Sequence, residues 1–295
     1  MRPEPEKILE RAEERLRKLP QSSGEETLQL LRSFLRMESH RLRMLHRYGI
    51  GGLEVSLGHA QVVDALISHL YRLSLNRYRA KKGTGGREPW SVAIGAVGGY
   101  GRGELCPYSD VDLLILYDRS SRDFAKYLAQ EMIYLLWDVG LKVGHSWRTP
   151  EECLEMARGD STAENALLDL RHLIGGKEVW GSLQSLLYKH WTRDPQKFVE
   201  RKRAEVAERY GRLGETVFLQ EPNVKESPGG LRDYHTMLWL ARGCWMKEPE
   251  HLVHEGVLSQ SDWQRARRAY DWVMRVRNEL HYRSEERRVG KECRL

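Results

Sequence analysis

This chain of 295 residues has little of what builds a secreted, membrane-spanning or disulfide-held protein. Cys106, Cys153, Cys244 and Cys293 are its only cysteines. They lie far apart and form no CxxC pair, which supports neither a zinc ribbon nor a disulfide framework. No uninterrupted apolar run approaches the ~18 residues of a membrane helix. The stretch from Met1 to Arg17 is densely charged without an apolar centre, so no secretory signal is expected there. These absences predict a soluble, cytoplasmic protein with reduced thiols. A surplus of one charge is missing as well: 48 basic residues against 42 acidic ones leave +6, spread over the whole chain. So small an excess favours anionic partners such as nucleotides. It is not the concentrated basic stripe of a nucleic-acid binder, and neither a nucleic-acid nor a membrane partner is expected. The lysine-bearing GxxxxGK[ST] loop is absent, as is the spacing of a dinucleotide fingerprint.

What is present is enough for a real core, at 40% hydrophobic and 31% charged residues, in one large domain or two smaller ones. The N-terminal third reads helical. Ser23 and Glu26 have capping-box spacing, and Leu28, Leu31, Leu35, Leu42 and Leu45 recur at helical intervals. Gly49, Gly51 and Gly52 end that run, and a second helix is predicted from about His59 to Tyr78. Residues 81–86 (KKGTGG) form a polar, glycine-rich linker. Beyond it, residues 91–97 (SVAIGAV), 111–117 (VDLLILY) and 141–147 (LKVGHSW) read as strands, with a helix over about 123–137. Ser161 and Glu164 suggest another capping box, opening a helix that ends at Gly175 and Gly176. The pattern then stays helical to Tyr282, apart from residues 221–230 (EPNVKESPGG). The class is α+β: a small mixed sheet over 87–150, preceded by a helical region (1–86) and followed by a helical domain (151–282). Residues 283–295 are polar and aperiodic and match what a common sequencing-adapter oligonucleotide encodes in frame. They are expected to be an artefactual tail, with the last helix ending near Tyr282 and turning Trp272, Val273, Val276 and Leu280 inward.

The chemistry concentrates between the first two strands. Gly98-Gly99-Tyr100-Gly101-Arg102-Gly103 is a glycine-rich turn, and Ser109-Asp110-Val111-Asp112 enters the second strand. Side chains two apart on a strand share a face, so Asp110 and Asp112 point the same way. Two such carboxylates repel unless cations lie between them, and the pairing suits two Mg²⁺ ions ~3.5–4 Å apart in nucleotidyl transfer. Glycines upstream allow backbone N–H groups close to phosphate oxygens, and Arg102 offers the same anion a fork of donors. The bland alternatives are a tight strand–helix turn and a solvated strand end. Against the latter, Leu113 to Leu116 buries the strand at once, which makes two acids at its mouth costly without a ligand. A second constellation combines Lys225 and Arg232 with Gly229 and Gly230. It reads either as a phosphate clamp, with the helix near Leu231 aimed at an anion, or as an ordinary capping loop. His251 and His254 read as surface helix residues, and Trp239 and Trp272 as packing residues.

The arrangement GG-x(9)-SDxDLLIL, carried by Gly98-Gly99 and Ser109 to Leu116, resembles the nucleotidyltransferase superfamily that includes DNA polymerase β. The stretch from Leu136 to Leu141, Val143-Gly144-His145-Ser146 with Arg148-Thr149, and Pro222 to Lys225 followed by Ser227 to Asp233 are similar to the PII uridylyltransferase family. That resemblance implies transfer of UMP from UTP to a tyrosine of the nitrogen-signalling protein PII, with release of pyrophosphate. It implies two Mg²⁺ ions held by Asp110 and Asp112, and a triphosphate cradled by Gly98, Gly99 and Ser109 with Arg102 nearby. The superfamily fold usually carries a third catalytic carboxylate. Asp138 is the candidate, with a helix-end turn residue as the equal alternative, because Lys142 stands where an acid would have been convenient. Adenylylation of another protein such as glutamine synthetase, and a non-catalytic regulatory module on the same fold, remain as alternatives. Relatives often add a uridylyl-removing hydrolase domain and glutamine-sensing domains. With no His-Asp dipeptide here and a chain that ends before such domains would begin, neither function is expected of this chain.

Overall fold

The computed structural model describes residues 5–18, 25–82, 91–213 and 223–292. In chain order the elements are α1 (Pro5–Arg17), α2 (Glu25–Arg47), α3 (Gly52–Lys82), β1 (Val92–Ala96), the single turn α4 (Gly98–Gly101), β2 (Val111–Tyr117) and α5 (Arg122–Asp138). There follow β3 (Val143–Arg148), α6 (Pro150–Gly159), α7 (Ser161–Leu168), β4 (Arg171–Gly175), α8 (Lys177–Trp191), α9 (Pro195–Leu213), α10 (Leu231–Leu240), α11 (Pro249–His254) and α12 (Gln260–Glu292). The chain divides into two compact units, residues 1–50 with 54–184, and residues 51–53 with 185–295.

The first unit is built on a four-stranded mixed sheet in the order β3-β2-β1-β4. β1 pairs antiparallel with both β2 and β4, and β2 pairs parallel with β3. β1 and β2 are almost wholly apolar because both faces of the sheet are covered. On one face Val92, Ile94, Val111, Leu113, Ile115 and Tyr117 join a core with α3 (Val63, Leu66, Ile67, Leu70) and α5 (Phe124, Leu128, Met132, Leu136). Leu114 and Leu116 alternate to the other face, where Trp180 of α8 lies so close over Gly95 that a Cβ there would sit 2.5 Å from the indole.

The three expected strands are all present, shortened or shifted at their ends by two residues at most. The segment after Ser161 differs from expectation. The N-cap of α7 is Asp160, whose side chain accepts from the N–H groups of Thr162 and Ala163, so the helix is capped one residue earlier than Ser161. That helix stops at Leu168, and residues 171–175 form the fourth strand instead of a helix end. β4 is half-buried along its whole length, so it lacks the alternation that marks a strand in sequence. A genuine capping box opens α6, where Thr149 and Glu152 satisfy one another's backbone N–H groups. The proposed cap Ser23 and linker residues 83–86 lie outside the described residues.

In the second unit Phe198 and Trp239 are buried, and Lys202 lies over both rings, 5.2 and 5.8 Å from their centroids, with its ammonium donating to Glu205. α12 does not end near Tyr282 but runs to Glu292. Its inward residues are Trp263, Tyr270, Met274, Asn278 and Tyr282, spaced by four and seven along one stripe. Trp272 and Leu280 fall off that stripe and are exposed, contrary to the expectation that they face inward.

Candidate active site

Val111 is fully buried toward α5, which sends Asp112, its neighbour on β2, to the opposite side of the strand, while Asp110 directly precedes the strand. Asp110 is exposed and Asp112 half-buried at the mouth of β2. Two glycines flank Asp112. A Cβ on Gly144, its partner on β3, would stand 2.5 Å from Oδ1, and one on Gly98 would stand 3.9 Å from Oδ2. The carboxylate therefore occupies space that any side chain at residue 144 would take. Ser109 and Asp110 follow Tyr108, which holds a left-handed backbone (φ 59°) uncommon for a bulky residue.

The glycine turn stands beside this pair. Val97 donates its N–H to the carbonyl of Asp112 (3.1 Å), and the chain then winds through α4, with Gly98 at φ +59°. Gly101, Arg102, Gly103 and Glu104 donate back to Val97, Gly98, Tyr100 and Gly99 respectively. Gly98 and Gly99 form the opening of the turn, the position whose N–H groups have no partner within a helix. Gly101 admits no substituent, because a Cβ would lie 1.9 Å from the carbonyl oxygen of Asp169.

Arg102 takes a different place from the one its sequence position suggested. Its guanidinium is almost fully buried, donating from Nε to Glu104 (2.6 Å) and from Nη1 to Asp169, whose carboxylate is itself buried. Its fork is directed at carboxylates within the fold, and it secures the turn from beneath. Asp138 is not brought to the pair. It ends α5, which packs on the sheet face opposite Asp112, and its backbone carbonyl accepts from Arg32. This is the helix-end reading of Asp138. On β3 the residues sharing Asp112's face are Gly144, Ser146 and Arg148, none of them acidic. Among the described residues no group of three or more His, Cys, Asp or Glu side chains is placed to hold a metal.

The second constellation lies in the other compact unit and is self-contained. Asn223 Oδ1 accepts from the N–H groups of Lys225 and Glu226, and buried Ser227 accepts from Asn223 N–H. Gly229 (φ +78°) donates to Asp233, which also accepts from Arg209 and Tyr210. The N–H groups of Gly230, Leu231, Arg232 and Asp233 all donate to carbonyls of the loop. The expected anion seat at the start of α10 is therefore already filled by the protein's own acceptors. Arg232 donates to Glu226 (3.0 Å) and lies over Trp239, while Lys225, partly exposed, is 3.8 Å from Glu226. Burial alone would raise the Glu226 carboxyl, but Arg232, Lys225 and Arg209 hold it below the usual range. Pro222 lies outside the described residues.

Sequence reasoning missed Asp64, Asp169 and Arg171, which all support the glycine turn. Asp64 did leave a signal, as a carboxylate interrupting the apolar run Val62-Val63-Asp64-Ala65-Leu66-Ile67. Arg171 left none, because its strand was not recognisable.

Residues 80–171 match the family described as Nucleotidyltransferase domain, and residues 197–288 match that described as GlnD PII-uridylyltransferase. Among curated proteins, the Bifunctional uridylyltransferase/uridylyl-removing enzyme of Rhodospirillum rubrum is 40% identical over 257 residues, covering 84% of this chain. The chain spans about a quarter of that relative's length (27%).

Proposed function

The chain is related to the PII uridylyltransferases and carries a nucleotidyltransferase domain, and from this we propose that it transfers UMP from UTP to a tyrosine hydroxyl of a PII protein, releasing pyrophosphate. The observation that carries the reading is the Asp110/Asp112 pair at the mouth of β2, set beside a glycine turn and kept clear of side chains by Gly98 and Gly144. Hard carboxylate oxygens suit Mg²⁺, which takes one or two carboxylates and completes its shell with phosphate and water oxygens. A pair of carboxylates fits that habit, and Asp110 and Asp112 would hold the metal. The chemistry such an ion would supply there is polarisation of the α-phosphate and neutralisation of charge on the leaving pyrophosphate.

The chain's own residues bind and orient. Gly98, Gly99 and Ser109 cradle the triphosphate through backbone and hydroxyl donors, and Arg102 keeps their turn in place. The tyrosine hydroxyl gives up its proton to solvent and its oxygen bonds to the α-phosphorus as the bond to the bridging oxygen breaks, so pyrophosphate leaves with that electron pair. Lys225 and Arg232, in the second unit, face Glu226 and take no part in this reading. Incubating the chain with PII, Mg²⁺ and labelled UTP, ATP or CTP tests the proposal. Label from UTP on PII supports it. Label from ATP alone would replace it with an adenylyltransferase, and no label from any nucleotide would leave a non-catalytic module.

A further inference from the structure

The fourth strand delivers to the glycine turn an arginine that no step above uses. Arg171 donates from Nη2 to the carbonyl of Tyr100 and from Nε to that of Gly101, both at 3.1 Å. The same guanidinium makes a two-pronged pair with Asp64 at 2.8 and 3.1 Å, and Asp64 also accepts from the Tyr100 hydroxyl at 2.6 Å. The Tyr100 ring lies beneath the guanidinium, 5.4 Å away, and is buried. Burial, and then the Asp64 carboxylate, push the Tyr100 hydroxyl well above its ordinary range, so it stays protonated and keeps donating.

A turn of four residues cannot hold itself, because the first hydrogen bonds of a helix do not repay the backbone entropy they cost. Something outside the turn must fix it. All carbonyls of a helical turn point toward its C-terminal end and all N–H groups toward its start. A cation on the carbonyls of Tyr100 and Gly101 fixes the peptide planes whose other ends, the N–H groups of Gly101 and Arg102, donate to Val97 and Gly98, and so holds the opening of the turn. Asp64 neutralises that cation and locks its rotation, since the planar fork matches a carboxylate and two carbonyls at once.

We propose that Arg171 and Asp64 are positioning residues that hold the turn from Gly98 to Gly103 in its triphosphate-binding form and thereby set the affinity for UTP. The inference rests on the nucleotidyltransferase reading above. Arg171→Lys keeps the charge beside Asp64 but loses the fork, and Tyr100→Phe removes one hydrogen bond and nothing else. Affinity for UTP with Mg²⁺ is measured by calorimetry. KM for UTP, KM for PII and kcat are measured alongside, with thermal unfolding as a control. For Arg171→Lys the dissociation constant and KM for UTP should rise on the order of 10- to 100-fold, the scale of lost outer-layer support, while KM for PII stays within about twofold. Tyr100→Phe should move the same two constants in the same direction by less. Unchanged UTP affinity in Arg171→Lys would overturn the inference. So would equal rises in both KM values together with a lowered unfolding midpoint, which would make the clamp merely structural. If the wild type binds UTP but labels no PII, the acceptor assignment fails and the calorimetry still decides the role of Arg171. If it binds no UTP, both fall.

Discussion

Asp110 and Asp112 sit at a strand mouth, so replacing either removes charge and not packing. Asp110→Asn and Asp112→Asn are each expected to abolish transfer while the unfolding midpoint stays within the ~0.5 kcal/mol of an ordinary surface change. Wild-type turnover in either variant would count against the mechanism. Arg102 predicts the opposite behaviour. Arg102→Met strands the buried carboxylate of Asp169, and removing one partner of a buried pair costs roughly 3–5 kcal/mol. Denaturant unfolding of this variant should show a loss of that order. The placement of Asp112 was legible because alternation along an apolar strand fixes its face without any tertiary knowledge. Asp138 was not, because its proximity in sequence to β3 says nothing about which face of the sheet its helix covers. Arg102 was misplaced for a related reason: a cation beside glycines looks like a phosphate ligand until the buried carboxylates it meets, Glu104 and Asp169, are brought together by folding.

At the scale of elements, the start of α7 gives a clean comparison. Asp160→Ala removes the side chain that accepts from Thr162 and Ala163, and should cost about 1 kcal/mol, the usual worth of an N-cap. Ser161→Ala should be close to neutral, since Ser161 lies inside the helix. The reverse order in thermal unfolding would restore the capping box read from sequence. β1 and β2 were legible because a sheet covered on both faces demands apolar, β-branched runs, and residues 91–97 and 111–117 supply them. β4 was not, because it is half-buried along its whole length and Arg171 is held by a partner distant in sequence. Arg171 is paired with Asp64, and His172 packs edge-on to Trp180. α12 follows the same logic: its inward stripe is the set from Trp263 to Tyr282, and the neighbouring set with Trp272 competes for the same periodicity.

For the whole molecule, stability should depend on pH through His59. Burial and then the nearby His46 lower its imidazole from 6.5 to about 4. The unfolded chain binds that proton first as pH falls, so stability is fully present above about 6.5, declines as pH drops toward 4 and levels off below. The loss from this group is at most about 3 kcal/mol, and His59→Gln should flatten that part of the profile. A profile in which stability rises on acidification over this interval would contradict the placement of His59. The account as a whole turns on whether the sheet-borne carboxylates move a nucleotide onto a protein tyrosine. The most direct measurement is the intact mass of PII after incubation with UTP, Mg²⁺ and either the wild-type chain or Asp112→Asn. The account predicts a gain of one UMP residue per modified PII subunit with the wild type, lost when the acceptor tyrosine is changed to phenylalanine, and no gain with Asp112→Asn. Unchanged PII in every arm, or equal modification by the Asp112→Asn variant, would contradict it.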